Sequence, residues 1–112
     1  MNETMTVIPI KPLSVNAAFQ GRRFRTKKYD QYEHDLLFLL PKTAKKYGKE
    51  PLRITFEFGI SALQDLDGCL KQTLDILCKK YSFNDRYVME IKAGKTIVKK
   101  SKEFLAFRIE TI

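Results

Sequence analysis

The nine residues Leu52–Ile60 constrain this chain more than any other stretch. Leu52, Ile54, Phe56, Phe58 and Ile60 alternate with Arg53, Thr55, Glu57 and Gly59. A period of two puts each row on its own face of a β-strand. An unbroken apolar row needs apolar cover, and two segments offer it at helical spacing. In residues 26–40, Thr26 suits an N-cap. Tyr29, Tyr32, Leu36, Leu39 and Leu40 then form one face, Leu37 and Phe38 widen it, and Pro41 ends it. From Leu66 onward, Leu70, Leu74 and Leu77 recur with Cys69, Thr73 and Cys78 beside them. Residues 5–10, 86–92 and 103–111 read as further strands, and residues 12–16 as a turn or loop. The expected fold class is α+β: a single domain over residues 1–112, with one mixed sheet and two main helices packed on it.

The strand leads by a short loop into Gln64-Asp65-Leu66-Asp67-Gly68-Cys69-Leu70-Lys71. Carboxylate oxygens are the hard ligands that Mg²⁺ takes, using one or two of them together with substrate phosphate. Asp67 is expected at or near the N-cap of the second helix, with Asp67, Lys71 and Asp75 on one face. Asp65 ends the loop. Residues 81–85 are expected to turn the chain back and return Asp85 to the same point. The plain alternative for an Asp-x-Asp pair is a solvated turn with a helix cap.

Charge points to the partner. The chain has 21 Lys and Arg against 13 Asp and Glu, a net charge of +8, which suggests a polyanionic partner, the plain alternative being a merely soluble basic protein. Arg22, Arg23, Arg25, Lys27 and Lys28 are interleaved with Phe19, Phe24 and Tyr29. Arginine binds phosphate in a bidentate way, so DNA contact is expected for the charges and core packing for most of the aromatics. Residues 94–102 carry Lys95, Lys99, Lys100 and Lys102 and read as a mobile basic hairpin loop able to grip a phosphate backbone. Lys42, Lys45, Lys46 and Lys49 form a second basic patch or a merely solvated face. His34, the one histidine, is assigned no role, and Glu57 is either an outer ligand or a surface strand residue. Cys69 and Cys78 share a predicted helix and do not readily bridge. Reduced thiols, and the lack of a signal peptide or a membrane-length apolar run, suggest a cytoplasmic protein with no membrane partner.

These residues resemble the RusA-type Holliday junction resolvases, small homodimeric Mg²⁺-dependent endodeoxyribonucleases of phages and prophages. The family motif is an Asp-x-Asp pair, a lysine four residues after the second Asp, and a further Asp at the end of the following helix. Asp65, Asp67, Lys71 and Asp85 match it. The resemblance extends upstream to Pro12-Leu13-Ser14-Val15-Asn16 and the basic segment, and downstream through the last two strands. Two positions depart from the pattern: Gln64, where the family often has Arg, and Gly68, where it usually has Asn.

The resemblance implies a RusA-like crossover junction endonuclease of DNA recombination and repair. Its partners would be branched DNA, a four-way junction, and a second copy of itself in a homodimer. It implies that Asp65, Asp67 and Asp85 hold Mg²⁺, with Mn²⁺ as a substitute, that Lys71 is catalytic, and that Asn16 lies near the active face. Two alternatives stay open: a non-catalytic DNA-binding accessory protein of the same fold, and a nuclease acting on flaps or forks.

Overall fold

The computed structural model describes residues 5–20 and 24–112. Strand β4 (Leu52–Ile60) is its centre, as the alternation requires. The main sheet runs β1 (Thr6–Ile8), β6 (Phe104–Thr111), β4, β5 (Val88–Ile97). Strand β4 pairs antiparallel with β6, Phe56 facing Phe107, and parallel with β5, Ile54 facing Ile91 and Ile60 facing Ile97. A parallel pair cannot be closed by a hairpin and needs a crossover. Helix α3 (Leu70–Tyr81) is that crossover, entered through a single 3₁₀ turn, Asp67–Cys69.

Helix α2 (Lys27–Leu39) forms as its sequence predicts. The Thr26 hydroxyl accepts from the Tyr29 N–H at 3.2 Å and donates to the Ala17 carbonyl. Tyr32 and Leu36 of α2 and Ile76 and Leu77 of α3 pack on Leu52, Ile54, Phe56, Phe58 and Ile60 in one core. Each such side chain contributes about 1.5–3 kcal/mol through burial. A buried bond of 2.9 Å between the Tyr32 and Thr73 hydroxyls fixes the two helices to each other. The buried stripe of α3 is Gln72, Thr73, Ile76 and Leu77, while Leu70, Leu74 and Cys78 sit at its margin. Both cysteines are free thiols. Among the described residues, no helix is long and apolar enough to cross a membrane.

The other sheet face is charged. Arg53 bonds Glu90 at 2.6 Å, and Arg108 pairs with Glu110 at 3.3 Å. Glu57 lies across Gly94 and accepts from the Thr96 hydroxyl, so it belongs to this face.

Three local expectations are corrected, and one strand pairing is new. Ser14 caps a short helix, α1 (Val15–Ala18), where a loop was expected. The basic segment contains a small hairpin, β2 (Phe19–Gln20) with β3 (Phe24–Arg25). The 3₁₀ turn Asp85–Tyr87 precedes β5, which starts at Val88 and runs to Ile97. Residues 94–102 are therefore no hairpin loop: β5 and β6 lie on opposite sides of β4, and residues 98–103 cross its end.

Strand β4 depends on one close approach. The Phe104 ring lies where a Cβ on Gly59 would stand. Gly59→Ala is expected to lower unfolding stability by about 1–3 kcal/mol through overpacking, and Phe104→Ala in the same chain should relieve most of the added strain. Urea midpoints of the single and double variants check this; additive losses would reject it.

Candidate active site

In open sheets with parallel strands, ligands bind outside the carboxyl ends of those strands. Strand β4 delivers residues 61–66 and the turn Asp67–Cys69 at that end. Here lies a cleft of about 750 Å³. Asp65, Asp67 and Lys71 line it together with Asn16 of α1 and Lys28 of α2. Both carboxylates and the lysine are solvent-exposed.

Three side chains hold the cleft walls together. The Lys95 ammonium, on β5, donates to the Ala62 carbonyl at 3.1 Å and the Gln64 carbonyl at 2.6 Å. The Gln64 amide donates to the Pro12 carbonyl at 2.9 Å. The buried Gln72 amide donates to the Gly68 carbonyl at 2.6 Å and to the Leu13 carbonyl. The two glutamines thus clamp residues 12–13, and with them α1 and Asn16, against the acidic turn. Gln64, noted in the sequence as a departure from the resembled pattern, serves the cleft through the backbone. Neither clamp was foreseen. The available signal was Gln72 itself, a polar residue inside the apolar stripe of α3. A buried amide must find partners, and Gly68 lies one helical turn before it.

The other expected residues are distributed as follows. Asp67 makes no side-chain cap bond; the turn and α3 are flanked by Leu66 and Cys69. Asp85 does not return to the cleft. It precedes β5, whose first residue pairs with Leu52 at the amino end of β4, so the crossover leaves Asp85 at the opposite end of the sheet. Its electrostatic neighbours are Asp75 and Cys78. Burial raises the Asp75 carboxyl above its ordinary value, Lys71 pulls it down and Asp85 pushes it up. Arg25 is occupied within the chain, at 3.2 Å from Asp30, 3.1 Å from Glu33 and 4.0 Å above the Tyr29 ring. Lys27 is exposed on the first turn of α2. Lys99 and Lys100 are exposed at the same end of the sheet as the cleft, since the Val98 N–H donates to the Ile60 carbonyl. Arg22 and Arg23 lie outside the described residues.

Among the described residues, no group of three or more His, Cys, Asp and Glu stands close enough to hold a metal ion. The two carboxylates at the cleft still fit Mg²⁺, which accepts one or two and completes its shell with water and phosphate oxygens. No protein-family model matches the chain, and no curated protein matches it.

Two measurements check this geometry. Bonds from an ammonium contribute about 1.5–3 kcal/mol, so Lys95→Met should speed amide exchange across residues 61–66 roughly ten- to a hundredfold. Unchanged exchange would show that the loop stands without Lys95. Burial, then Asp85 and Asp75, pushes the Cys78 thiol up to about 11. A raised thiol stays protonated and unreactive at neutral pH, so alkylation of Cys78 should climb only as pH approaches that value. Asp85→Asn removes a negative neighbour and should move the profile to lower pH; an unmoved profile would place Asp85 elsewhere.

Proposed function

We propose that this protein is a Mg²⁺-dependent, structure-selective endodeoxyribonuclease that hydrolyses phosphodiesters in four-way DNA junctions. One observation carries the reading: Asp65, Asp67 and Lys71 share a cleft with Asn16 and Lys28, in a chain of net charge +8. The resemblance to RusA-type resolvases, which rests on the same residues, supports it.

In this reading the Asp65 and Asp67 carboxylates would hold Mg²⁺, which would supply Lewis-acid polarisation of the phosphodiester and activation of the attacking water. Lys71, one helical turn beyond Asp67, offsets negative charge that develops on the phosphate in the transition state. Asn16 and Lys28 orient the DNA backbone, and the glutamine clamps keep both walls in register. Lys99 and Lys100 add positive charge at the same end.

A junction has near two-fold symmetry, and an isologous homodimer matches it with two identical sites. The outer edge of β5 supports such a dimer: Met89 and Ile97 are 61% and 65% exposed there, and Ile91 lies between them. Asp85, at the other end of the sheet, takes no part in the cleft of its own chain. The protein would act in the cytoplasm, where the DNA is.

A non-catalytic DNA-binding module is the second reading, favoured by the position of Asp85 outside the cleft. Purified protein with Mg²⁺ and labelled four-way junction, linear duplex and fork separates the two. Paired cuts in the junction, lost on chelation, are expected; junction binding without cleavage would leave the second reading, and faster cutting of the fork would change the substrate. Asp65→Asn and Asp67→Asn should each abolish cleavage and retain junction binding, because removing an acid also removes negative charge facing DNA. Lys71→Ala should lower turnover about 10²-fold or more with affinity nearly unchanged. Turnover equal to wild type would make Lys71 only a helix-surface charge.

A further inference from the structure

We propose that a second cleft, at the far end of α3, seats DNA phosphates separately from the acidic cleft, which rests on the DNA-binding reading above. It encloses about 600 Å³ between residues 41–47 and the carboxyl end of α3. Lys42, Lys45, Lys46 and Lys80 surround it, with Tyr47 and Tyr81 forming its walls. No acidic residue lines it. Glu50, the only acid in residues 41–51, stands outside the lining.

The framework is fixed by bonds that leave most of the charge unspent. The Tyr81 hydroxyl donates to the Pro41 carbonyl at 2.8 Å, and the Lys80 ammonium donates to the Leu37 carbonyl at 3.1 Å. Lys45 rests 5.2 Å above the Tyr47 ring. Among the described residues, no carboxylate pairs with Lys42, Lys45 or Lys46. Four like charges around a concavity focus a positive potential and repel one another until an anion fills it. Each ammonium offers three donors, and the Thr43 and Ser82 hydroxyls stand in the same lining. That is a donor set for phosphate oxygens.

The position selects a polymer over a small anion. Helix α3 is 12 residues long, about 18 Å from end to end at 1.5 Å per residue. Phosphates recur along a strand about every 3.4 Å, so the two clefts stand roughly five base steps apart. Half-buried Asp75 lies midway along α3. The DNA backbone would therefore touch two separated basic points, not the helix between them.

The test uses the full chain, metal-free, with a labelled four-way junction. Each phosphate contact neutralised adds about 0.9 to the slope of log affinity against log salt. Lys42→Gln/Lys45→Gln/Lys46→Gln should lower that slope by about 2–3, and the matching triple Arg variant should restore it. Hydroxyl-radical footprints of wild type should show two protected zones about five base steps apart, and the Gln variant should lose one zone and keep the other. An unchanged slope, or loss of both zones together, would overturn the second seat. Wild-type protein that binds no DNA would overturn this seat and the DNA reading alike. A changed slope in a protein that never cuts DNA would uphold the seat and reject only the nuclease.

Discussion

The parallel pairing of β4 with β5 is the constraint on which the rest depends. Five side chains of β4, Leu52, Ile54, Phe56, Phe58 and Ile60, are buried toward the helices, and strands hold both of its edges. Parallel pairing forces the chain to travel back outside the sheet before β5 begins. That return is α3, and its start and end fix what lies at each end of the molecule. The acidic pair, Lys71 and the carbonyls held by Lys95 fall at the carboxyl end of β4. Asp85, the Ser82 turn and the lysine cleft fall at the other. The spacing of these features follows from the length of one helix.

The same constraint decides what the sequence reveals. Strand β4 and helix α2 were legible because their signals are local: an alternation of apolar residues, and a capping threonine before an apolar face ended by proline. The Asp-x-Asp junction was legible for the same reason, since it sits between two such elements. Pairing partners are not local. Nothing in residues 86–111 states whether β5 meets β6 directly or only across β4, and the shorter connection suggested a hairpin. That choice misplaced Lys95, which left a supposed loop and became a strand residue bonded to the cleft wall. It also misplaced Asp85, whose turn ends a crossover rather than a return. Arg25 shows a third kind of miss. Its charge was counted toward DNA, but Asp30 and Glu33 one and two turns further along α2 take up its guanidinium.

The cleft is also more dependent on amides than on charges. Asp65 and Asp67 are exposed, and among the described residues neither side chain has a hydrogen-bond or ion-pair partner, so their placement comes from the backbone beneath them. Gln64, Gln72 and Lys95 satisfy five backbone carbonyls of residues 12–13, 62, 64 and 68. Buried or half-buried donors are costly to leave unpaired, so each clamp resists opening of the wall it holds. This leaves the carboxylate oxygens of Asp65 and Asp67 free, as the proposed cation role would require.

Electrostatics then set the order of events in the proposed reaction. In that reading two exposed carboxylates flanked by Lys28, Lys71 and Lys95 would hold a cation only weakly, because the lysines repel the ion that the acids attract. A DNA phosphate entering the cleft reverses this balance: it adds negative charge beside the acids and supplies an oxygen ligand that Mg²⁺ prefers. Cation and DNA should therefore strengthen each other's binding, and by linkage the gain is the same from either side. On the proposed reading, a site that meets DNA before the cation would need no third acid in the same chain, because phosphate oxygens would stand in for it.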